Sequence, residues 1–67
     1  MMYAEWSGRM VEVYDERKYL VRRFHARDTV VGVQVSGFSP ADGQVAITMV
    51  NGKTDLYKTD GALIRRG

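Results

Sequence analysis

The chain has 67 residues with one histidine and no cysteine, and its ten basic and eight acidic residues leave a formal net charge of +2. A chain of this length forms one domain, here residues 1–67, with a small core relative to its surface. The composition excludes disulfides, and one histidine without cysteine does not supply the four ligands of a structural zinc site.

The N-terminal half is compatible with two structures. On a helical wheel, six apolar residues share one arc: Met10, Val13, Tyr14, Leu20, Val21 and Phe24. Asp15 is a suitable N-cap, and the cations toward residue 26 complement a helix dipole. We therefore predict an amphipathic helix over Asp15 to Ala26. The alternative is a strand over 10–14, a tight turn at 15–17 and a strand over 18–25, which with the downstream strands would give an all-β, SH3-like small barrel.

The C-terminal half has the pattern of an antiparallel meander. Valines alternate with small or polar residues over 29–38, and the sequence SPADG then indicates a longer loop. Asn-Gly and Asp-Gly separate the three following segments, and these dipeptides are strong hairpin signals. The predicted strands are residues 29–38, Val45 to Val50, Lys53 to Thr59 and Ala62 to Arg66. The predicted fold is thus α+β, with one helix packed on a four-stranded meander.

The two glycine turns also predict which residues face one another. Two-residue loops would pair Ile47 with Leu56, and Tyr57 with both Ala46 and Ile64. The apolar face covered by the helix would then carry Val45, Ile47, Met49, Leu56 and Leu63. Tyr57 and Ile64 would lie on the second, uncovered face, beside Arg66.

Catalytic chemistry is not indicated. His25 is the one side chain whose ordinary pKa lies near neutrality. The sequence contains no G-x-S-x-G nucleophile motif and no phosphate-binding glycine loop. We therefore predict a protein that is not an enzyme and that has no catalytic residue, no metal site and no cofactor.

Binding of another macromolecule is the favoured function. In the predicted helix, Lys18, Arg22 and His25 share one flank, and arginine is well suited to carboxylates and phosphates. Tyrosine and arginine are also enriched at binding hot spots, so the second sheet face, with Tyr57 and Arg66, is a second candidate binding surface. The candidate binding residues are Lys18, Arg22, Arg23, His25, Arg27, Tyr57, Ile64, Arg65 and Arg66.

Three kinds of partner are considered. The first is a larger protein, on which the chain docks as an inhibitor, adaptor or small subunit of the type that phages and mobile elements encode. The second is a nucleic acid, held by segment 17–27 and the C-terminal arginines, although the low net charge argues against it. The third is a further copy of the chain, paired through an open strand edge. Without a signal sequence or an apolar run of about 18 residues, the expected location is the cytoplasm, with no membrane contact.

Overall fold

The computed structural model describes all residues from Met1 to Gly67 and contains seven strands and no helix. Strands β1, β2 and β3 form a three-stranded antiparallel sheet, and β4, β5, β6 and β7 form a four-stranded antiparallel sheet, each in chain order. The strands are β1 (Tyr3–Ser7), β2 (Met10–Tyr14), β3 (Leu20–His25), β4 (Val30–Ser36), β5 (Gln44–Met49), β6 (Thr54–Lys58) and β7 (Leu63–Arg65).

The predicted helix over Asp15 to Ala26 is wrong, and the fold is all-β rather than α+β. The strands of the all-β alternative, 10–14 and 18–25, correspond to β2 and β3, and its all-β class is the one observed, with the seven strands paired into two sheets. An isolated 12-residue helix is only marginally stable, whereas β2 buries the β-branched Val11 and Val13 completely. The wheel pattern failed because β3 is an edge strand, where arginine side chains reach water from either face.

The turn between β2 and β3 shows what Asp15 does instead of capping a helix. Its Oδ1 accepts hydrogen bonds from the backbone N–H of Arg17 at 2.9 Å and of Tyr19 at 3.0 Å. Lys18 takes a φ of 69°, in the left-handed region that favours glycine. The Asp15 carboxylate therefore stabilises a tight turn in which Lys18 occupies a strained position.

The four-stranded meander is confirmed, but its predicted register between β5 and β6 is wrong by one residue. The Met49 N–H donates to the Lys53 carbonyl at 2.9 Å, and Gly52 has a φ of 86°. These features belong to a three-residue loop, in which a type I turn is followed by a left-handed glycine. The loop at Gly61 is also three residues long, with the Lys58 N–H donating to the Ala62 carbonyl at 2.8 Å. The glycine turns were recognised, but their length was underestimated.

This one-residue shift exchanges the two faces of β6. Tyr57 lies opposite Val45 and Leu63, and Asp55 lies opposite Ile47. Tyr57 is therefore only 6% exposed, on the inner face of the sheet, and its predicted exposure beside Ile64 is wrong. Leu56, predicted to be in the core, lies on the outer face opposite Ala46.

One hydrophobic core joins the two sheets. The Phe24 ring on β3 packs against the Tyr57 ring on β6, with 5.1 Å between the ring centroids. The core consists of Val11, Val13, Ala26, Val30, Val45, Ile47, Met49 and Tyr57. This core fixes the relative position of the loops that carry the exposed residues described below.

Candidate functional site

The strand geometry of β3 separates the basic residues that were predicted to share one helix flank, Lys18, Arg22 and His25. Arg22 lies opposite Val13 and Arg23 lies opposite Glu12, so their side chains extend from opposite faces of the sheet. His25 is exposed on the same face as Arg23, whereas Lys18 lies in the preceding turn. The structure therefore does not bring Lys18, Arg22 and His25 together as one flank.

Arg23 is engaged by a carboxylate on the neighbouring strand. Its Nε and Nη2 donate to Glu12 Oε2 at 3.0 and 2.8 Å. An exposed ion pair of this kind contributes about 0.2–1 kcal/mol. The pair reduces the positive charge on this face, whereas Arg22 takes part in no ion pair.

Arg27 and Tyr57 belong to a hydrogen-bonded network around the buried Asp55. Arg27 Nε and Nη2 donate to the two Asp55 carboxylate oxygens at 2.7 Å each, and the Tyr57 hydroxyl donates to Oδ2 at 3.3 Å. The Gly67 N–H donates to Oδ1 at 3.0 Å. These contacts tie the segment after β3 and the C-terminal residue to β6, so the structure gives both side chains a role in stability.

The same network shifts two pKa values. The Arg27 hydrogen bonds, opposed by burial and aided by the Gly67 N–H, lower the pKa of Asp55 to about 2. Burial first, and the Asp55 charge second, raise the pKa of the Tyr57 hydroxyl, and the charges of Arg27 and then Arg66 partly oppose that rise. Asp55 therefore remains ionised at neutral pH and is fully paired.

The other C-terminal candidates are exposed. Arg65 lies opposite Leu56 on the outer face of the four-stranded sheet, and Arg66 follows at the end of β7. Ile64 lies between Leu63 and Arg65 at the register shift in β7 and is partly exposed. None of the three is next to Arg22 or Arg23 in the strand pairing.

A cleft between two loops combines exposed aromatic side chains that were not among the residues predicted from the sequence. It has a volume of about 240 Å³, and its walls are residues 15–17 and 19 of the β2–β3 turn, residues 38–40 of the β4–β5 loop, and Met2. Phe38 is 96% exposed and Tyr19 is 67% exposed. We refer to Tyr19 and Phe38, together with Pro40, as the aromatic platform.

The loop that carries Phe38 is held in place by Asp42. Asp42 Oδ1 accepts hydrogen bonds from the Phe38 N–H at 3.2 Å, the Ser39 N–H at 2.9 Å and the Ser39 hydroxyl at 3.2 Å. The Ser39 backbone bond is the first of the causes that lower the pKa of Asp42. Gly37 precedes Phe38 with a φ of 100°, which ends β4 and turns the chain. Phe38 is thus presented to solvent by a loop that is hydrogen-bonded to Asp42.

Two signals in the sequence point to this loop in retrospect. Phe38 is followed by Ser-Pro-Ala-Asp-Gly, a composition that specifies a loop. A phenylalanine at the start of such a loop lies outside the alternating pattern that buries apolar residues in a strand. Its exposure could be suspected, whereas its closeness to Tyr19 depends on the tertiary fold.

Other chemistry receives little support from the arrangement of side chains. No three side chains among His, Cys, Asp and Glu lie close enough together to hold a metal ion. With no helix in the fold, the chain also has no helix of the length and apolarity that crossing a membrane requires.

No family model, curated protein or solved structure matches the chain.

Proposed function

We propose that the protein is a non-enzymatic binding module that docks on a larger protein through the aromatic platform. The observation that carries the proposal is the 96% exposure of Phe38 on a hydrogen-bonded loop that borders the same cleft as Tyr19. Single exposed apolar residues are common on protein surfaces. Two large aromatic side chains that border one cleft are different, because such clusters anchor protein interfaces.

The hydrogen bonds of the loop support the proposal. Binding costs free energy when side chains and loops must be immobilised, and a loop that is already fixed avoids much of that cost. Asp42 holds the loop at three donor groups. Phe38 can therefore enter a pocket of a partner without a prior rearrangement of the backbone.

The rim of the cleft is charged, as the rim of a protein interface usually is. Arg17 and Glu16 lie in its wall, and Lys18 precedes Tyr19 in the same turn. We expect these charges to affect the rate of association and its salt dependence, and the aromatic side chains to supply most of the affinity. Inhibitor, adaptor and small-subunit roles are all consistent with a small module that presents one such surface.

The proposal is tested by affinity capture with matched variants. Four proteins are immobilised and incubated with a lysate of the cells that naturally express the protein. They are the wild type, Phe38→Ala, Tyr19→Ala and the control Val50→Ala. Val50 is a suitable control because it is 62% exposed in a different turn, between β5 and β6. We expect one partner to be captured by wild type and by Val50→Ala and to be lost with Phe38→Ala. Capture that is equal for all four proteins would contradict the proposal.

Nucleic-acid binding is the second candidate function, and the outer face of the four-stranded sheet favours it. This face carries Lys58 and Arg65 together with the hydrogen-bonded hydroxyls of Thr48 and Thr54, and the register places no carboxylate on it. It also carries no aromatic side chain for base stacking, so contacts would be made to phosphates and would weaken steeply with salt. Titration of labelled single- and double-stranded DNA and RNA at two salt concentrations tests this function, with Arg65→Glu as the diagnostic variant.

A further inference from the structure

We infer that the free edge of β3 accepts an extended, acidic segment of a partner protein, which adds to the three-stranded sheet as a fourth strand. The inference rests on the proposed protein binding, but it uses a surface other than the aromatic platform. It assigns a role to the basic segment around Arg22 and Arg23, which the platform does not explain.

The first step is the backbone of β3. The Ala26 N–H donates to the Arg9 carbonyl at 2.8 Å. Hydrogen-bonded and non-hydrogen-bonded pairs alternate in an antiparallel ladder, so the polar groups of Phe24 and Arg22 also point toward β2. Those of Arg23 and His25 point away from β2, and β3 has no strand on that side. Unpaired groups of this kind are a template for an added strand.

The second step is the chemistry of the side chains along this edge. Arg22 and Arg23 project from opposite faces of β3, and Arg22 makes no ion pair. An added strand with acidic residues at neighbouring positions would place one carboxylate near each guanidinium, because neighbouring side chains alternate in direction. The glutamates of this sheet do not pair with Arg22, because Glu12 is already engaged by Arg23 and Glu5 lies on β1, two strands away from β3.

The third step decides between an acidic partner strand and a second copy of the chain. Charged side chains on an edge strand commonly prevent unwanted pairing. Antiparallel pairing of β3 with another β3 would bring the arginines of both copies close together, which is unfavourable. The same charges attract a strand that carries carboxylates. The edge therefore selects against the chain itself and in favour of an acidic segment.

The experiment titrates the ¹⁵N-labelled protein with a defined probe and follows its backbone amides by NMR. The probe is a capped ten-residue peptide in which pairs of adjacent glutamates alternate with pairs of threonines, so that carboxylates project from both faces of the added strand. We expect shifts centred on the Arg23 and His25 amides, slower hydrogen exchange at both, and weaker binding at higher salt. Arg22→Ala should lower the affinity by up to about fivefold, the effect of one exposed ion pair, whereas Lys58→Ala should leave it unchanged.

Two controls separate strand addition from simple charge attraction. The same peptide N-methylated at every residue keeps its charge and loses every backbone donor, so we expect it not to bind. Equal binding of the N-methylated peptide, shifts centred on β6 and β7, or no shift at millimolar peptide would each overturn the inference. Concentration-dependent shifts at Arg23 and His25 without peptide would identify a second copy as the occupant and overturn it as well.

Binding of the peptide to the edge of β3 does not depend on the aromatic platform. Phe38→Ala should bind the peptide as wild type does, because Phe38 lies in the β4–β5 loop and not on β3. Failure of the peptide together with capture that depends on Phe38 would reject the edge and retain the proposed function. Peptide binding together with capture that ignores Phe38 would reject the platform.

Discussion

Replacement of Asp55 by asparagine should remove a large part of the stability of this small domain. Asp55 is fully buried and accepts two 2.7 Å hydrogen bonds from Arg27, whose side chain is 34% exposed. Breaking a buried ion pair by removing one partner costs about 3–5 kcal/mol. We expect about 3 kcal/mol, because water can partly solvate the remaining guanidinium. A chain of this length has a free energy of unfolding of about 3 to 10 kcal/mol, so the effect is readily measured in urea.

The pH dependence of the free energy of unfolding provides a second test of the Asp55–Arg27 pair. The pKa of Asp55 is lowered from 3.8 to about 2 in the folded protein, which corresponds to about 2 kcal/mol of stability. Because the folded pKa is below the unfolded value, this stabilisation is complete above about pH 5 and is lost as the pH falls from 4 to 2. The stability difference between wild type and Asp55→Asn should therefore shrink by about 2 kcal/mol over that interval.

Glu12→Gln is the matched control, because it weakens the exposed pair with Arg23 rather than the buried pair. Its cost should remain below about 1 kcal/mol. The reasoning would be refuted if Asp55→Asn and Glu12→Gln had equal effects at pH 7. It would also be refuted if the Asp55→Asn difference did not change between pH 4 and pH 2.

Three further predictions concern the turns and loops, and each is checked by urea unfolding. Lys18→Gly should stabilise the protein by about 0.5–1 kcal/mol, since relief of a left-handed conformation that costs about 1–2 kcal/mol outweighs the opposing increase in the entropy of the unfolded chain. Gly43→Ala should destabilise it by about 1–3 kcal/mol, because an added Cβ would lie 2.5 Å from the Met2 Cε and 2.7 Å from the Thr59 Cγ2. Phe38→Ala should change stability by less than about 0.5 kcal/mol, since the side chain packs against little of the fold.

The C-terminal half could be predicted because its signals are local. Valine alternation and the Asn-Gly and Asp-Gly dipeptides give the four strands and their order. Loop length could not be read from the dipeptides, because both two-residue and three-residue loops accept glycine in a left-handed conformation. That single uncertainty reversed the faces of β6, so the burial of Tyr57 and Asp55 was missed.

The N-terminal half could not be predicted because its decisive contacts are distant in sequence. The sequence of β3 is also compatible with an amphipathic helix. The contacts that accompany the strand, Phe24 with Tyr57 and Arg27 with Asp55, join residues that are far apart in the sequence. For the same reason the two halves of the candidate platform, Tyr19 and Phe38, cannot be connected from the sequence. They belong to different loops, and only the joining of the two sheets brings them to one cleft.

Site-specific photo-crosslinking in the native cells tests the central claim most directly. A benzophenone amino acid is placed at position 38 in the platform, and at position 50 as an exposed control in a different turn. The account predicts one specific crosslinked protein from position 38, which is lost when Tyr19 is also changed to alanine, and none from position 50. Crosslinks of equal yield and identity from both positions, or none from position 38, would contradict it.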